Sequence, residues 1–460
     1  MSDGRSLWRH PDFLKLWSAD TVSQLGSQVT LLAVPLVAIT VLKATTLQVG
    51  LLSAAEMAPF LIVGLPAGAI VDRLRRRPVL IAGDVGRALA LASIPVAHAF
   101  DVLGLAQLYA VAFITGVLTV FFDVAYQAYL PALVERDQLA DGNTKLEISR
   151  SGGQIAGPGV AGVLISAFGA AAAVTVDAAS FVVSAVGIGA IRRAEPAPTH
   201  VDTGRGRLRR DIGEGLRYVL RHPLLRPIAF CTASSNFFNS MYGAILILFM
   251  VRALHLRPGL VGLVFATGNA GFLIGALASR PFVRRIKLGP TIVVSAAIGG
   301  VGSVFAPIAH LGSALPWLIA AQLVVGFGIP LYNINQVSLR QAICPDRLQG
   351  RMNATMRFMV WGTLPLGAVA GGVLGRAIGL RPTLWVAAIG GCFTFLFVLL
   401  SPVHSLSDVP PPDEALGEEL ADASPGVGGV VSPVGGPAGI VGEAVIGLGV
   451  ERDGDVVEPS

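Results

Sequence analysis

The chain has few charged residues and very little lysine or cysteine. Only 14% of its 460 residues are charged, compared with about 25% in a soluble domain, so most of its length is not a soluble fold. Cys231, Cys344 and Cys392 are far apart, and no disulfide framework or cysteine metal site follows from them. None of the four lysines lies in the glycine-rich phosphate-binding pattern, which excludes an ATPase of that type. We therefore expect no enzyme, no cofactor and no metal.

Long apolar stretches are abundant instead, since 53% of the residues are hydrophobic. A membrane-crossing helix needs about 20 mostly apolar residues. The twelve stretches of this kind predict an all-α polytopic membrane protein with 12 transmembrane helices. We number them as spans 1 to 12: about 14–41, 48–71, 79–99, 105–130, 147–168, 173–191, 228–251, 259–282, 291–310, 315–339, 358–379 and 384–403.

Lysines and arginines fall mainly on alternate sides of these spans. The N-terminus and the loops at 72–78, 131–150, 192–227, 280–290 and 340–357 hold 27 of them, and the other side holds five. Cytoplasmic loops carry this excess in membrane proteins. The pattern therefore predicts a multi-pass protein of the cell membrane with both termini in the cytoplasm, and it indicates the bilayer, rather than a nucleic acid, as the partner of the basic residues.

The longest internal loop divides the spans into six and six. We predict a cytoplasmic N-terminus (1–13), a first six-helix bundle (14–191), a cytoplasmic linker (192–227), a second bundle (228–404) and a disordered acidic cytoplasmic tail (405–460). The tail is expected to be disordered because it holds 18 glycines or prolines and no aromatic residue. The linker spaces Ile212, Leu216, Val219 and Leu220 on one helical face, which predicts an amphipathic helix on the membrane surface.

The two halves are internal repeats. Residues 50–78 align without gaps on 262–290, with 11 of 29 positions identical. Two parallel six-helix repeats are an architecture of secondary transporters. The acid of the first copy, Asp72, corresponds to Arg284 in the second, so the two loops are not equivalent.

Two strings carry a family resemblance. Residues 68–77 follow the pattern Gly-x-x-x-Asp-Arg-x-x-Arg-Arg between spans 2 and 3, and residues 153–162 follow Gly-x-x-x-Gly-Pro-x-x-Ala-Gly in span 5. They resemble the loop 2–3 and helix 5 signatures of the major facilitator superfamily, although Arg75 and Ala161 stand where that family has glycines. An arginine signature in helix 4 of many proton-driven drug exporters is absent, because no arginine lies between Arg87 and Arg136.

Within this superfamily the chain is most similar to the bacterial group of enterobactin and macrolide exporters. The resemblance implies an antiporter that uses the proton gradient to export a small, partly apolar molecule, such as an antibiotic or siderophore, by alternating access. It also implies a monomer whose partners are the substrate and the lipid bilayer. A nutrient importer and a non-transporting membrane sensor or scaffold are the alternatives.

Polar side chains form stripes in four spans that occupy equivalent places in the three-helix subrepeats. Unpaired polar residues in hydrocarbon are costly, so the stripes predict a water-filled substrate cavity. The other interpretation is that they only bond neighbouring helices. The predicted cavity residues are Asp20, Gln24 and Gln28 in span 1, Asp123 and Gln127 in span 4, Asn236 and Ser240 in span 7, and Asn333 and Gln336 in span 10.

Three acids within the spans are candidates for proton coupling: Glu56, Asp20 and Asp123. An ionised carboxylate in an apolar medium is costly, so such a group either takes up a proton or finds a cation. Asp123 has a second possible role as the partner of Arg76.

Two further predictions concern other acids in the spans. Asp84 and Arg87 are three residues apart and are expected to form a structural ion pair. Asp101 and Asp177 are expected to be solvated near the outer interface.

The loop between spans 2 and 3 is the predicted gate, made of Gly68, Asp72, Arg73, Arg76 and Arg77. Gly68 would let the helix approach a neighbour closely. Asp72 would bond a helix N-terminus, which the resemblance places in span 11. The simpler interpretation is that these arginines only fix the orientation of the chain. The glycines and proline of span 5, Gly153, Gly157, Pro158 and Gly162, are predicted to pack closely against other helices.

Overall fold

The structure, a computed structural model, describes residues 7–71, 73–135, 138–193, 195 and 205–410. The helices are α1 Pro11–Leu36, α2 Thr46–Ile62, α3 Gly64–Val71, α4 Arg76–Ala99, α5 Leu105–Leu133, α6 Leu139–Phe168, α7 Ala170–Gly189, α8 Arg205–Arg221, α9 Leu225–Leu248, α10 Pro258–Ile286, α11 Leu288–Ile308, α12 Ala314–Ile343, α13 Asp346–Ile378, α14 Leu380–Phe393 and α15 Leu396–Leu399.

Within these residues, ten helical segments are long and apolar enough to cross a membrane. The other two crossings are α6, whose first half is polar, and the pair α2 and α3, which continue one another. Pro66 lies in the first turn of α3 and lacks the N–H that would bond the preceding turn, which accounts for the interruption at Val63. The predicted all-α fold with twelve crossings is confirmed.

The first six crossings form one bundle and the last six form another. In the first bundle α4 packs on α5 and α7, and α1 packs on α6 and α7. The second bundle repeats this arrangement, with α11 on α12 and α14, and α9 on α13 and α14. Among the described residues, the bundles contact one another mainly through α2 with α13 and α6 with α10, and α2 also contacts α9.

The internal repeat is visible in the backbone as well as in the sequence. The helix α1 ends in a π-turn at Val37–Val41, and α9 ends in a π-turn at Phe249–Ala253, which is 212 residues later. The next loop of each half holds a residue with a φ of 50°, Lys43 and His255, again 212 residues apart. The same offset relates the aligned sequences.

The two membrane faces of the molecule differ in how the bundles meet. We call the end that carries the loops at 73–75, 190–193 and 344–345 the basic face, and the end that carries the loops at 42–45, 254–257 and 379 the opposite face. At the opposite face, Gly50 of α2 lies directly against the backbone of Gly372 of α13, and Gly262 of α10 lies against Gly162 of α6. Arg252 also donates to the carbonyl of Ala44 across the bundles, at 2.7 Å. The molecule is therefore closed at the opposite face.

The predicted gate role of Gly68 concerns the conformation in which the bundles meet at the basic face, and it stays a prediction. In the conformation described here, no atom of the described neighbouring elements lies within 4 Å of the place where a Cβ of Gly68 would be. The close approach of this crossing is made by Gly50, at its other end. Glycines allow such contact because they have no side chain, but the sequence does not show which glycine faces a neighbour.

The linker helix α8 packs on the protein more closely than expected. Tyr218 and Val219 are fully buried, and the Tyr218 hydroxyl donates to the carbonyl of Ile343 at 3.3 Å. Leu216, predicted to face the membrane with Val219, is 39% exposed. The helix is therefore held at the basic face by the end of α12 and the start of α13.

Packed structure also continues into the first residues of the predicted tail. Val403 is fully buried, and the backbone N–H of Gly289 donates to the carbonyl of Leu406 at 2.9 Å. The prediction of disorder for the rest of the tail concerns residues 411–460, which lie outside the described residues.

Candidate functional site

A cavity of about 1280 Å³ lies between the two bundles. Among the residues lining its wall near the basic face are Asn143, Glu147 and Arg150, which are exposed. Towards the opposite face the cavity ends where the glycine contacts bring the bundles together. The cavity is therefore open to one side of the membrane only.

The polar stripes of the first bundle line this cavity. Along α1 the lining residues Asp20, Gln24 and Gln28 follow one another at one-turn spacing, and Asp123 and Gln127 do so along α5. Asp20 is only 5% exposed, whereas Gln127 is exposed. The spacing of four residues places each set on one helical face.

The second bundle contributes Asn236, Asn333 and Gln336 to the same wall. Ser240 is different, because its hydroxyl donates to the carbonyl of Leu364 at 2.6 Å and the residue does not line the cavity. It sits one turn after Asn236, and the packing of α13 against α9 covers it. For Ser240 the prediction of a cavity residue is therefore corrected to a helix-packing contact.

A buried ion pair lies at the part of the cavity wall that the first bundle forms. The guanidinium of Arg87 bonds the carboxylate of Asp84 at 2.6 Å, as predicted. It also lies between the rings of Phe122 and Phe181, 4.2 and 4.1 Å from their centroids. Such stacking favours a desolvated arginine. Arg87 lines the cavity, so this charge is held at its wall.

Asp177 belongs to the same region, which contradicts the prediction that it is solvated. It is 1% exposed, lines the cavity and accepts a hydrogen bond from Ser180 at 3.0 Å. The prediction that Asp177 is exposed to solvent was based on its position near the end of a predicted span. The packing of α7 against α1 buries it, with Gly26 of α1 directly over its side chain.

The three candidate proton carriers all line the cavity but differ in their surroundings. Arg87, Arg150 and Arg357 act electrostatically on Asp123. Among the described residues, no charged group acts in this way on Glu56, which is half-buried in the middle of α2.

Two arginines of the predicted gate, Arg76 and Arg77, contact the first bundle and the linker that follows it. The carboxylate of Glu195 accepts from the backbone N–H of Arg76 at 2.6 Å and of Arg77 at 3.1 Å, and so caps the start of α4. The Arg76 guanidinium is 3.6 Å from the same carboxylate. The partner of Arg76 is therefore Glu195, not Asp123. Because 119 residues separate Arg76 from Glu195, no local sequence pattern indicated this pair. Arg73 is exposed, and Asp72 lies outside the described residues.

The span 5 signature packs against both bundles. Gly157 lies directly on the side chain of Gln28, and Gly153 faces Gln24 at an ordinary contact distance. Gly162 and the carbonyl of Pro158 form the surface on which Gly262 rests. This helix therefore carries part of the closure at the opposite face.

A cavity between two repeated six-helix bundles, closed at one face, is the architecture of a secondary membrane transporter. The sequence profile of the Major Facilitator Superfamily matches residues 16–362 and, in a second alignment, 228–442. The chain belongs to this superfamily of membrane carriers, which are not enzymes, and it is a multi-pass cell-membrane protein.

Several of the proteins that this chain resembles are named as efflux proteins. The multidrug efflux pump Tap of Mycolicibacterium fortuitum is 28% identical over 82% of this chain and 91% of its own length. The enterobactin exporter EntS of Citrobacter koseri is 26% identical over 86% of this chain and 88% of its own. The predicted relationship to the exporter group is thereby confirmed.

The fold is also shared with solved structures. The crystal structure of a bacterial homologue of the iron transporter ferroportin, in an inward-facing state, superposes with a TM-score of 0.70. It covers 86% of this chain and 99% of that chain at 17% identity.

Proposed function

We propose that this protein is a proton-coupled exporter of a small, partly apolar molecule and works by alternating access. The observation that carries the proposal is the large cavity that is open only at the basic face. By the positive-inside rule the basic face is cytoplasmic, so the conformation is the one that collects substrate from the cytoplasm. The efflux activity named for the relatives supports export over import.

The cavity wall supports the substrate class. Drug-sized ligands occupy pockets of about 300–1,000 Å³, so a cavity of about 1280 Å³ holds such a molecule with surrounding water. Amides such as Gln24 and Asn236 supply hydrogen bonds, and Phe60 and Trp361 supply apolar surface. This mixture suits a molecule that is neither strongly charged nor wholly apolar.

Glu56 is the best candidate for the coupled proton. It faces the cavity with no charged group acting on it, so the free energy of its ionised form depends on whether water or substrate occupies the site. Asp123 has three arginines to balance its charge, and its ionisation is less tied to occupancy. Asp20 is the second candidate.

Transport into inside-out vesicles tests both parts of the proposal. A panel of antibiotics and siderophores is offered, and compound-dependent collapse of an imposed pH gradient is measured. We expect Glu56→Gln to abolish the collapse, whereas Glu135→Gln, an exposed loop acid, behaves as the parent. Accumulation that persists after nigericin dissipates the pH gradient would contradict proton coupling.

Asp72 remains the proposed acid of the gate. We expect Asp72→Asn to cripple transport at normal expression, because the acid would hold the two basic-face ends together in the other conformation. If the loop served only orientation, this variant would transport normally, since orientation depends on the arginines and very little on the acid.

A further inference from the structure

A second cavity of about 150 Å³ lies inside the second bundle, between α9, α11, α12 and α14. We call it the side pocket. Thr232, Asn236 and Asn333 line both the side pocket and the large cavity, so the two are adjacent spaces. A molecule in the large cavity can therefore extend one group into the side pocket.

Among the described residues, those that line the side pocket include no Asp, Glu, Lys, Arg or His. Its polar groups are hydroxyls and amides, and its apolar walls include Phe238 and the rings of Tyr242 and Tyr332. The large cavity differs from it, because acids of the first bundle and arginines of both bundles, Arg340 and Arg357 among them, line its wall. The two spaces thus offer different chemistry: charged groups in the large cavity and uncharged hydrogen-bonding groups in the side pocket.

Several hydroxyl protons of the side pocket are already used within the protein. Ser303 donates to the carbonyl of Gly300 at 2.6 Å, and Ser295 donates to the carbonyl of Ile292 at 3.0 Å. A hydroxyl that has donated its proton keeps lone pairs that can accept. The side pocket therefore offers hydroxyl lone pairs as acceptors, and it suits a ligand that brings O–H or N–H groups.

The hydroxyl of Tyr242 gives a second, independent indication of a ligand. Tyr242 lines the side pocket, and its hydroxyl is buried without a hydrogen-bond partner among the described residues. A buried polar group in this state costs about 1–3 kcal/mol. A ligand that reaches this hydroxyl recovers that free energy.

We propose that the side pocket binds an uncharged ring that carries hydroxyl or N–H donors, as one part of the exported molecule. A cavity of about 150 Å³ accepts a benzene-sized ring. A charged ring is excluded because no counter-charge lines the pocket, and burying an unpaired charge is costly. This assignment rests on the proposed export function, but its binding step can be measured without transport.

Gly299 provides the position for that measurement. Ser295, Gly299 and Ser303 all line the side pocket and follow one another at one-turn spacing along α11. No atom of the described part of the chain lies within 4 Å of the place where a Cβ of Gly299 would be, so a side chain added there enters the pocket. Gly300 is unsuitable, because its Cβ would meet the backbone of Cys392.

The experiment uses the full chain in lipid nanodiscs, with the native cysteines replaced and a single cysteine introduced as Gly299→Cys. The rate of its reaction with methyl methanethiosulfonate is measured with phenol or benzoate as the probe. A cysteine introduced as Gln127→Cys, in the large cavity, is the reference. We expect phenol to slow the reaction at position 299 and benzoate to leave it unchanged, with neither probe acting at position 127.

The hydroxyl of Tyr242 is tested in the same assay. Tyr242→Phe should weaken the protection by phenol about 3- to 10-fold, the effect of one lost hydrogen bond. Equal protection by phenol and benzoate, equal protection at positions 299 and 127, or an unchanged effect in Tyr242→Phe would each overturn the proposal.

An efflux measurement tests whether the side pocket takes part in export. Gly299→Leu fills the pocket, and Gly243→Leu makes the same change at an exposed position of α9 with open space around it. We expect Gly299→Leu alone to reduce efflux of hydroxylated-ring compounds. If the parent chain exports no compound, the proposed function fails, while phenol protection at position 299 still decides the assignment of the pocket. Equal efflux by Gly299→Leu and Gly243→Leu would overturn the assignment of the side pocket as a binding site for part of the exported molecule.

Discussion

The glycine contact between α6 and α10 makes the closed opposite face sensitive to a single methyl group. In Gly262→Ala the new Cβ would overlap the carbonyl oxygen of Pro158 and would lie 2.9 Å from the Cα of Gly162. Both neighbours are backbone atoms, so neither can rotate away. Over-packing of this kind costs about 1–3 kcal/mol.

This cost falls mainly on one conformation. The two helices belong to different bundles and must separate at the opposite face when that face opens. Because about 1.4 kcal/mol corresponds to a tenfold change in an equilibrium constant, we expect the ratio of the described conformation to the reversed one to fall about 5- to 150-fold.

The assay is the accessibility of a single cysteine introduced as Gln127→Cys, near the basic-face opening. A membrane-impermeant thiol reagent applied from the basic face should react more slowly in Gly262→Ala than in the parent. The matched control is Gly159→Ala in α6, where the new Cβ has no neighbour within 4 Å. Both changes alter helix propensity by about 1 kcal/mol in the same direction, so the comparison isolates the contact. Equal labelling rates in the two variants would refute the reasoning.

Three further outcomes follow from the packing. Asp84→Ala leaves Arg87 buried without its ion-pair partner, so it should destabilise the protein by about 3–5 kcal/mol, and Asp84→Leu combined with Arg87→Met should recover most of this in thermal unfolding. Glu195→Ala removes the cap of α4 and should cost about 0.5–2 kcal/mol in the same measurement, whereas Glu135→Ala should cost almost nothing. A chain ended at Pro410 should keep the thermal stability of the parent, and one ended at Ser401 should lose stability because the buried turn on α11 is missing; equal stabilities would show that the turn is dispensable.

The parts of the fold and site that could be predicted depend on local spacing. Residues three or four apart on a helix share a face in any tertiary context, so the Asp84–Arg87 pair and the stripe of Gln24 and Gln28 were visible in the sequence. Apolar length and the repeat offset were sufficient for the twelve crossings.

The errors concern distant partners. Glu195 reaches Arg76 only after six crossings have packed, and the burial of Asp177 depends on α1, about 150 residues earlier. Gly50 and Gly68 lie in the same predicted span, and only the meeting of the bundles shows that Gly50 is the one that contacts Gly372 in this conformation. The side pocket needs four helices from one bundle and has no contiguous sequence signal.

The paired π-turns bear on the history of the chain. A π-turn is an uncommon irregularity in a helix. Here it occurs at equivalent positions of both halves, yet none of the five residues in Val37–Val41 matches its counterpart in Phe249–Ala253. Two separate events at one equivalent position would be needed if the halves had acquired it independently. A single ancestral bundle that already contained the turn, followed by duplication and fusion, requires one event. The backbone conformation of this region has then been retained in both halves while its side chains have changed.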